Sequence, residues 1–244
     1  SREDMTFDLL RCWQIFQENI AMFMSGVQVT LIYAIIGTLA GFIIGLILGG
    51  IRALEINDSD STPVKVLKRI GRLFTSLYIW VFRGTPMMVQ AMFLYYGLQP
   101  VIGWNGPTAG LFVISINTGA YMAEIIRSGL QSVDSGQSEA AKSLGMSTLQ
   151  TMVHIIFPQA IRNAFPSIGN QLIVNIKDSS MLSVIWVLDL FFQSQSLAGS
   201  NYRPVETYFV ATVLYLILTT IATLLLNFIE KRMNMKSETR DLCA

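Results

Sequence analysis

Residues 19–51 contain no charged side chain. A bilayer-crossing helix needs about 20 mostly apolar residues, so a first span lies within 22–50. Residues 52–72 then carry Arg52, Glu55, Asp58, Asp60, Pro63, Lys65, Lys68, Arg69 and Arg72, and predict an aqueous loop. A second apolar stretch begins near Leu73, is interrupted at Arg83-Gly84-Thr85-Pro86, and resumes over 87–98. Proline cannot donate to the helical ladder, so this reads as one broken span. The turn-rich run 97–107 predicts a hairpin. A third span covers 108–126, and a polar segment with helical character follows over 127–157. The fourth apolar stretch, 161–176, meets Lys177-Asp178 and continues irregularly through 181–192. Residues 193–201 read as a polar loop and 206–229 as the last span. The pattern predicts an all-α polytopic membrane protein of about five transmembrane helices.

Composition supports that reading. Hydrophobic residues make up 52% and charged ones 14% of 244 residues, against about a quarter charged in soluble domains. Too little polar surface is available for a nucleic-acid binder, a disordered chain or an ordinary soluble enzyme. The net charge of +1 argues against polyanion partners. One His and two Cys, Cys12 and Cys243, offer no metal ligand set.

Orientation follows from loop Lys and Arg. With the N-terminus outside, the inner segments hold Arg52, Lys65, Lys68, Arg69, Arg72, Arg127, Lys142, Arg162, Lys231, Arg232, Lys236 and Arg240. The outer segments keep Arg2, Arg11 and Arg203. An odd number of spans then leaves the C-terminus inside. Residues 1–21 form an interfacial helix or a flexible end, since Leu9, Trp13, Phe16 and Ile20 share a helical face. Residues 22–232 form the transmembrane domain, and 233–244 a cytoplasmic tail. Within the first span Gly37, Gly41, Gly45 and Gly49 recur every fourth position, a packing face within or between chains.

The polar segment carries two helix-start signals. Asp134 with Gln137, and Ser147 with Gln150, have capping-box spacing. Gly145 between them suits a helix C′ position. Two short helices at an angle are predicted over 134–157, displayed on the cytoplasmic face.

Here the chain resembles a family. Glu139-Ala140-Ala141, Gly145, Ile155 and Pro158 are similar to the EAA loop of ABC importer permeases, with Phe157 where Leu is usual. Arg83-Gly84-Thr85-Pro86-Met87-Met88-Val89-Gln90 and Gly119-Ala120-Tyr121-Met122-Ala123-Glu124-Ile125-Ile126-Arg127 resemble motifs of the polar amino acid permeases, the histidine, glutamine and arginine type. Pro158-Gln159-Ala160-Ile161-Arg162 and Lys177-Asp178-Ser179-Ser180-Met181 continue the match. The resemblance implies the type I importer fold and a subunit of an ATP-driven amino acid importer in the bacterial plasma (inner) membrane. It also implies partners: two copies of an ABC ATPase, a second permease chain (identical or paralogous) and an extracytoplasmic amino acid-binding protein. The ATPase would dock through Glu139, Ala140, Ala141, Gly145, Met146 and Ser147.

The chain has no Gly-x-x-x-x-Gly-Lys-Ser/Thr, so nucleotide phosphates have no loop to cradle them. No cofactor is expected here; ATP and Mg belong to the partner, and the chain is not itself an enzyme. The competing reading is a secondary transporter driven by protons or sodium, which also keeps ionisable residues in the membrane. A capped cytoplasmic loop favours the ATP-driven reading.

Substrate candidates are the polar groups inside the spans. Glu124 shares a helical face with Tyr121 and Asn117, with Thr118 near the same cavity. Asp189 offers a second carboxylate, which tilts the expected cargo towards a polar, even basic, amino acid. Arg83 at the break, with Met87 and Gln90, forms the opposite wall, or Arg83 pairs structurally with a carboxylate. Asp178 either meets substrate or satisfies neighbouring backbone. Glu124 is alternatively a structural partner of Arg127 or Arg83. His154 reads as a surface residue of the loop.

Overall fold

The computed structural model describes residues 7–54, 56 and 61–241, the stretch 234–241 by backbone alone. Arg2, Glu55, Asp58, Asp60 and Cys243 lie outside the described residues, as do the side chains of Lys236 and Arg240. All regular structure among the described residues is helical.

The order is α1 (Leu9–Glu18), α2 (Ile20–Ala53), α3 (Thr62–Gly84), α4 (Met87–Ile102), α5 (Gly106–Gln131), α6 (Ser135–Ser143), α7 (Thr148–Thr151), α8 (Phe157–Asp178), α9 (Leu190–Asn201) and α10 (Pro204–Asp241). A π-turn, Met152–Ile156, joins α7 to α8, and a 3₁₀ turn, Ser179–Ile185, follows α8. Among the described residues three helices, α2, α5 and α10, are long and apolar enough to cross a membrane. A fourth span is added if the segment through α8 and α9, bent by 56°, counts as one crossing. The sequence reading had a fifth in the α3–α4 pair, which does not meet the same standard. Lys65, Lys68, Arg69 and Arg72 occupy the first half of α3, and α4 has only 16 residues.

Several boundaries move. The predicted aqueous loop ends at Ser61, because Thr62-Pro63 start α3 with proline in its first turn. The break falls at Thr85-Pro86, inside the predicted interruption. The predicted hairpin over 97–107 is mostly helix; α4 keeps Pro100 and stops at Gly103, whose φ is +64°. Residues 193–201, read as a loop, are helical because Asp189 caps α9. Residues 233–241 continue α10.

The chain divides into two compact units. The first comprises Ser1–Thr38, Pro86–Ser115 and Leu172–Leu224. Its core joins Tyr33, Met87, Ala91, Val113, Leu182 and Val187. A second cluster packs Cys12 and Ile15 of α1 against Phe23, Leu190, Leu197 and Val210. Residues 9–18 are therefore a docked helix, capped by Asp8 accepting the Leu10 N–H at 2.8 Å. Burial pushes the Cys12 thiol above its usual pKa.

The second unit comprises Leu39–Thr85, Ile116–Gln171 and Leu225–Ala244. Here the glycine stripe explains itself. A Cβ on Gly41 would stand 2.5 Å from the Thr118 methyl, and one on Gly45 2.5 Å from Met122 Cβ. One on Gly49 would stand 3.1 Å from Ile126 Cγ2. Positions on α2 and α5 rise together, so the two helices run parallel.

Candidate functional site

In the second unit a cavity of about 430 Å³ lies among α3, α5 and α8. Arg83, Tyr121, Glu124 and Arg127 line it, with Asn163 and Ser167 from α8. Gly129 lets α8 come close, since a Cβ there would stand 2.6 Å from the Ala160 carbonyl oxygen. Asn163 Nδ2 donates to Ser132 Oγ at 2.9 Å, tying the end of α5 to α8.

Glu124 is the centre of an ion cluster. Arg52 Nη1 donates to its Oε1. Arg127 Nε and Nη2 donate to Oε2 at 3.0 and 2.8 Å. Arg83 Nη1 lies 3.9 Å from Oε2, and its guanidinium sits 5.4 Å from the centre of the Tyr121 ring. Three guanidinium groups thus face one carboxylate. In this structure Glu124 is matched by guanidinium groups, those of Arg127 and Arg83 among them. Arg52, which the sequence reading counted only as a loop charge, completes the cluster. Its signal was positional: it is the first charge after the long uncharged run.

The remaining candidates divide. Tyr121 and Arg83 both line the cavity. Asn117 is buried and donates to the Phe82 carbonyl at 3.3 Å, so it braces α3. Thr118 is fully buried with its methyl against Gly41, and it does not line the cavity. In the first unit Met87 is core and Gln90 is buried near the start of α4. Asp189 has no exposure; it accepts the Phe192 N–H at 3.0 Å and the Tyr215 hydroxyl at 3.1 Å. It is a helix cap, not a second acid open to cargo. Asp178 is half-buried at the end of α8, and its side chain caps no backbone N–H there.

A second feature is the corner between α6 and α7. Gly145 has φ +80°, its N–H donates to Lys142 O at 2.9 Å, and Met146 N–H donates to Ala141 O at 3.1 Å. This is a Schellman ending with Gly145 at C′. Ser147 and Gln150 form the expected capping box. Asp134 caps α6 through the Gly136 N–H at 2.6 Å, without the reciprocal Gln137 bond expected of a box. The second helix is not a separate short piece either; it runs through the π-turn into α8. Pro158 lacks the N–H that the regular ladder needs, and the irregular turn precedes it. Glu139, Ala140, Gly145 and Ser147 are exposed, Met146 is half-buried and Ala141 is buried. Leu144 and Leu149 are 84% and 74% exposed. Sequence reading passed over this apolar pair, whose signal is leucine flanking a helix-stop glycine in a polar segment. His154 is exposed, as expected.

Among the described residues no group of His, Cys, Asp and Glu is arranged to hold a metal.

Comparison with known proteins places these features in context. The family described as "Binding-protein-dependent transport system inner membrane component" matches residues 61–235. The chain is 34% identical over 234 residues to the glutamine transport system permease protein GlnP of Escherichia coli K12, covering 95% of this chain and 100% of that one. It is 34% identical over 220 residues to a putative glutamine transport system permease protein of Rickettsia felis, covering 89% and 95%. A crystal structure of an amino acid ABC transporter with histidines matches with TM-score 0.79 at 37% identity, covering 93% of this chain and 100% of that one. An inward-facing MetNI methionine ABC transporter shares the fold, with TM-score 0.73 at 18% identity over 87% of this chain and 96% of that one.

Proposed function

Because the chain belongs to the family of binding-protein-dependent transport system inner membrane components, we propose that it builds the translocation path of an ATP-driven importer for a polar amino acid. It is a permease subunit without an ATP-binding loop of its own. ATP and Mg are held by a separate ATPase, present in two copies, and a second permease chain completes the path. An extracytoplasmic binding protein delivers the cargo. The N-terminus faces outward, as the distribution of Lys and Arg favours.

The observation that carries the reading is the corner at Gly145. A glycine-locked turn holds Leu144 and Leu149 in solvent, on a segment too long for a simple connection. Two large apolar side chains held rigidly in water favour a partner surface. The relatives' names supply the cargo class: glutamine for one, amino acids for another. The cavity favours a zwitterion over a strongly basic side chain. Glu124 is already matched by guanidinium groups, while Arg83, 44% exposed at its side chain, lines the cavity.

Uptake into vesicles holding the purified complex tests this. Radiolabelled glutamine, histidine and arginine are offered with the binding protein, with and without internal ATP. Uptake of a polar amino acid that requires internal ATP is expected. Uptake driven by a proton or sodium gradient without ATP would return the reading to a secondary transporter.

A further inference from the structure

A separate cavity of about 410 Å³ opens among the C-terminal ends of α2 and α5 and the middle of α3, all within the second unit. Its lining includes Arg52, Arg72, Arg127, Ser76 and Gln131, and no carboxylate among the described residues. The charged side chains that line it are all guanidinium groups. Gln131 Oε1 is already taken by Arg127 Nη1 at 2.7 Å, which leaves its amide N–H groups. Arg72 gives one Nη to the Leu54 carbonyl, yet its Nε is buried with no hydrogen-bond partner. Glu124, which lines the other cavity, bridges Arg52 and Arg127. Three guanidinium groups against one carboxylate leave two positive charges unbalanced among the described residues. Arg69 lies one turn before Arg72 on α3 and adds to the positive potential.

A cavity of donors with an orphaned guanidinium N–H is completed by an acceptor that carries negative charge. Phosphate fits better than a carboxylate. Its oxygens are distributed around a tetrahedron, so separate guanidinium forks approach it from different sides, each through paired N–H groups. We propose that Arg52, Arg72 and Arg127 form a binding site for a phosphate group, presented by an anionic phospholipid headgroup or as the free ion. Arg72 is the anchoring residue, since Arg52 and Arg127 are already engaged with Glu124. The site shares Arg127 with the cavity at Glu124, while Arg52, Arg72 and Ser76 line this cavity alone.

The test uses the whole delipidated complex with its ATPase subunits. Phosphatidylglycerol and phosphatidylcholine are titrated in turn, and bound lipid is read by native mass spectrometry. Inorganic phosphate is titrated separately and read by thermal shift. One cation near the membrane surface contributes about fivefold in binding of an anionic lipid. The wild type should retain phosphatidylglycerol at least about fivefold better than phosphatidylcholine, or be stabilised by phosphate. Arg72→Gln and Ser76→Glu should each abolish that preference, and Arg72→Lys should keep part of it. Lipid preference without a phosphate shift assigns the headgroup; a phosphate shift without lipid preference assigns the free ion. Equal retention of both lipids together with no phosphate shift overturns the site. A loss in Arg72→Gln that Ser76→Glu does not reproduce also overturns it, because it reports folding alone.

Discussion

Gly45 of α2 and Met122 of α5 meet so closely that a Cβ at position 45 would stand 2.5 Å from Met122 Cβ and 2.9 Å from the Ala123 nitrogen. Backbone cannot yield as a side-chain tip does. Gly45→Ala is therefore expected to destabilise the purified complex by about 1–3 kcal/mol, the usual range for overpacking. Gly50→Ala, where a Cβ meets nothing within 4 Å, is the control and should be neutral or slightly stabilising. Thermal unfolding in detergent decides; equal melting temperatures for both variants would mean that the α2–α5 contact is looser than described.

Glu124→Gln keeps the shape of the side chain and leaves Arg52, Arg83 and Arg127 facing one another. The carboxylate is 19% exposed and its partners more so, so the loss lies between that of a surface pair and a buried one, about 1–3 kcal/mol. Lower melting temperature and weaker assembly are expected, alongside reduced uptake. Restoring balance by combining Glu124→Gln with Arg52→Gln should recover part of the stability. A stable, fully assembled Glu124→Gln variant with lost uptake would instead give Glu124 a direct role with cargo.

These two sites mark what the sequence could say. Glycine every fourth residue is visible as a packing face because helical geometry turns that spacing into a stripe. Its partner is not visible, since Ile114, Thr118, Met122 and Ile126 look like any apolar helix until α2 and α5 lie side by side. The same reasoning found Gly145, whose left-handed backbone is a local matter of chain geometry. It did not foresee the burial of Thr118, Met87 and Asp189, because helical periodicity does not reveal which neighbour a side chain meets. Burial of Asp189 looked like an invitation to cargo; in the fold its oxygens are taken by α9 and Tyr215. Likewise Arg52 became part of the Glu124 cluster only through a contact spanning 72 residues of chain.

Asp189→Asn retains one oxygen but cannot serve both the Phe192 N–H and the Tyr215 hydroxyl as acceptor. A loss of about 1 kcal/mol, typical of one hydrogen bond, is expected in thermal unfolding. Asp189→Ala removes the cap and leaves both donors buried, so it should cost more, about 2–4 kcal/mol in total. Uptake of glutamine and arginine should fall in the same proportion in either variant. A selective loss of arginine uptake would show that the carboxylate meets a basic cargo after all.

Gly145 separates coupling from folding. No atom stands within 4 Å of where its Cβ would be, so a substitution there is opposed by backbone conformation and not by crowding. Alanine at φ +80° is disfavoured by about 1 kcal/mol, and a β-branched residue by more. Gly145→Val is expected to unwind the end of α6 and move Leu144, while the spans insert normally. ATPase stimulation by loaded binding protein should then fall, with binding-protein docking unchanged. Leu144→Asp tests the surface without touching the backbone: an 84% exposed leucine contributes little to the isolated chain, so its replacement should leave the permease stable. If the corner seats the ATPase, that one charge at the centre of an apolar contact should weaken subunit association by about 2 kcal/mol or more, a roughly thirtyfold change in dissociation constant. Sedimentation or native mass spectrometry of the mixed subunits reads it directly. Undiminished association in Leu144→Asp, together with wild-type coupling in Gly145→Val, would remove the corner from the transmission path.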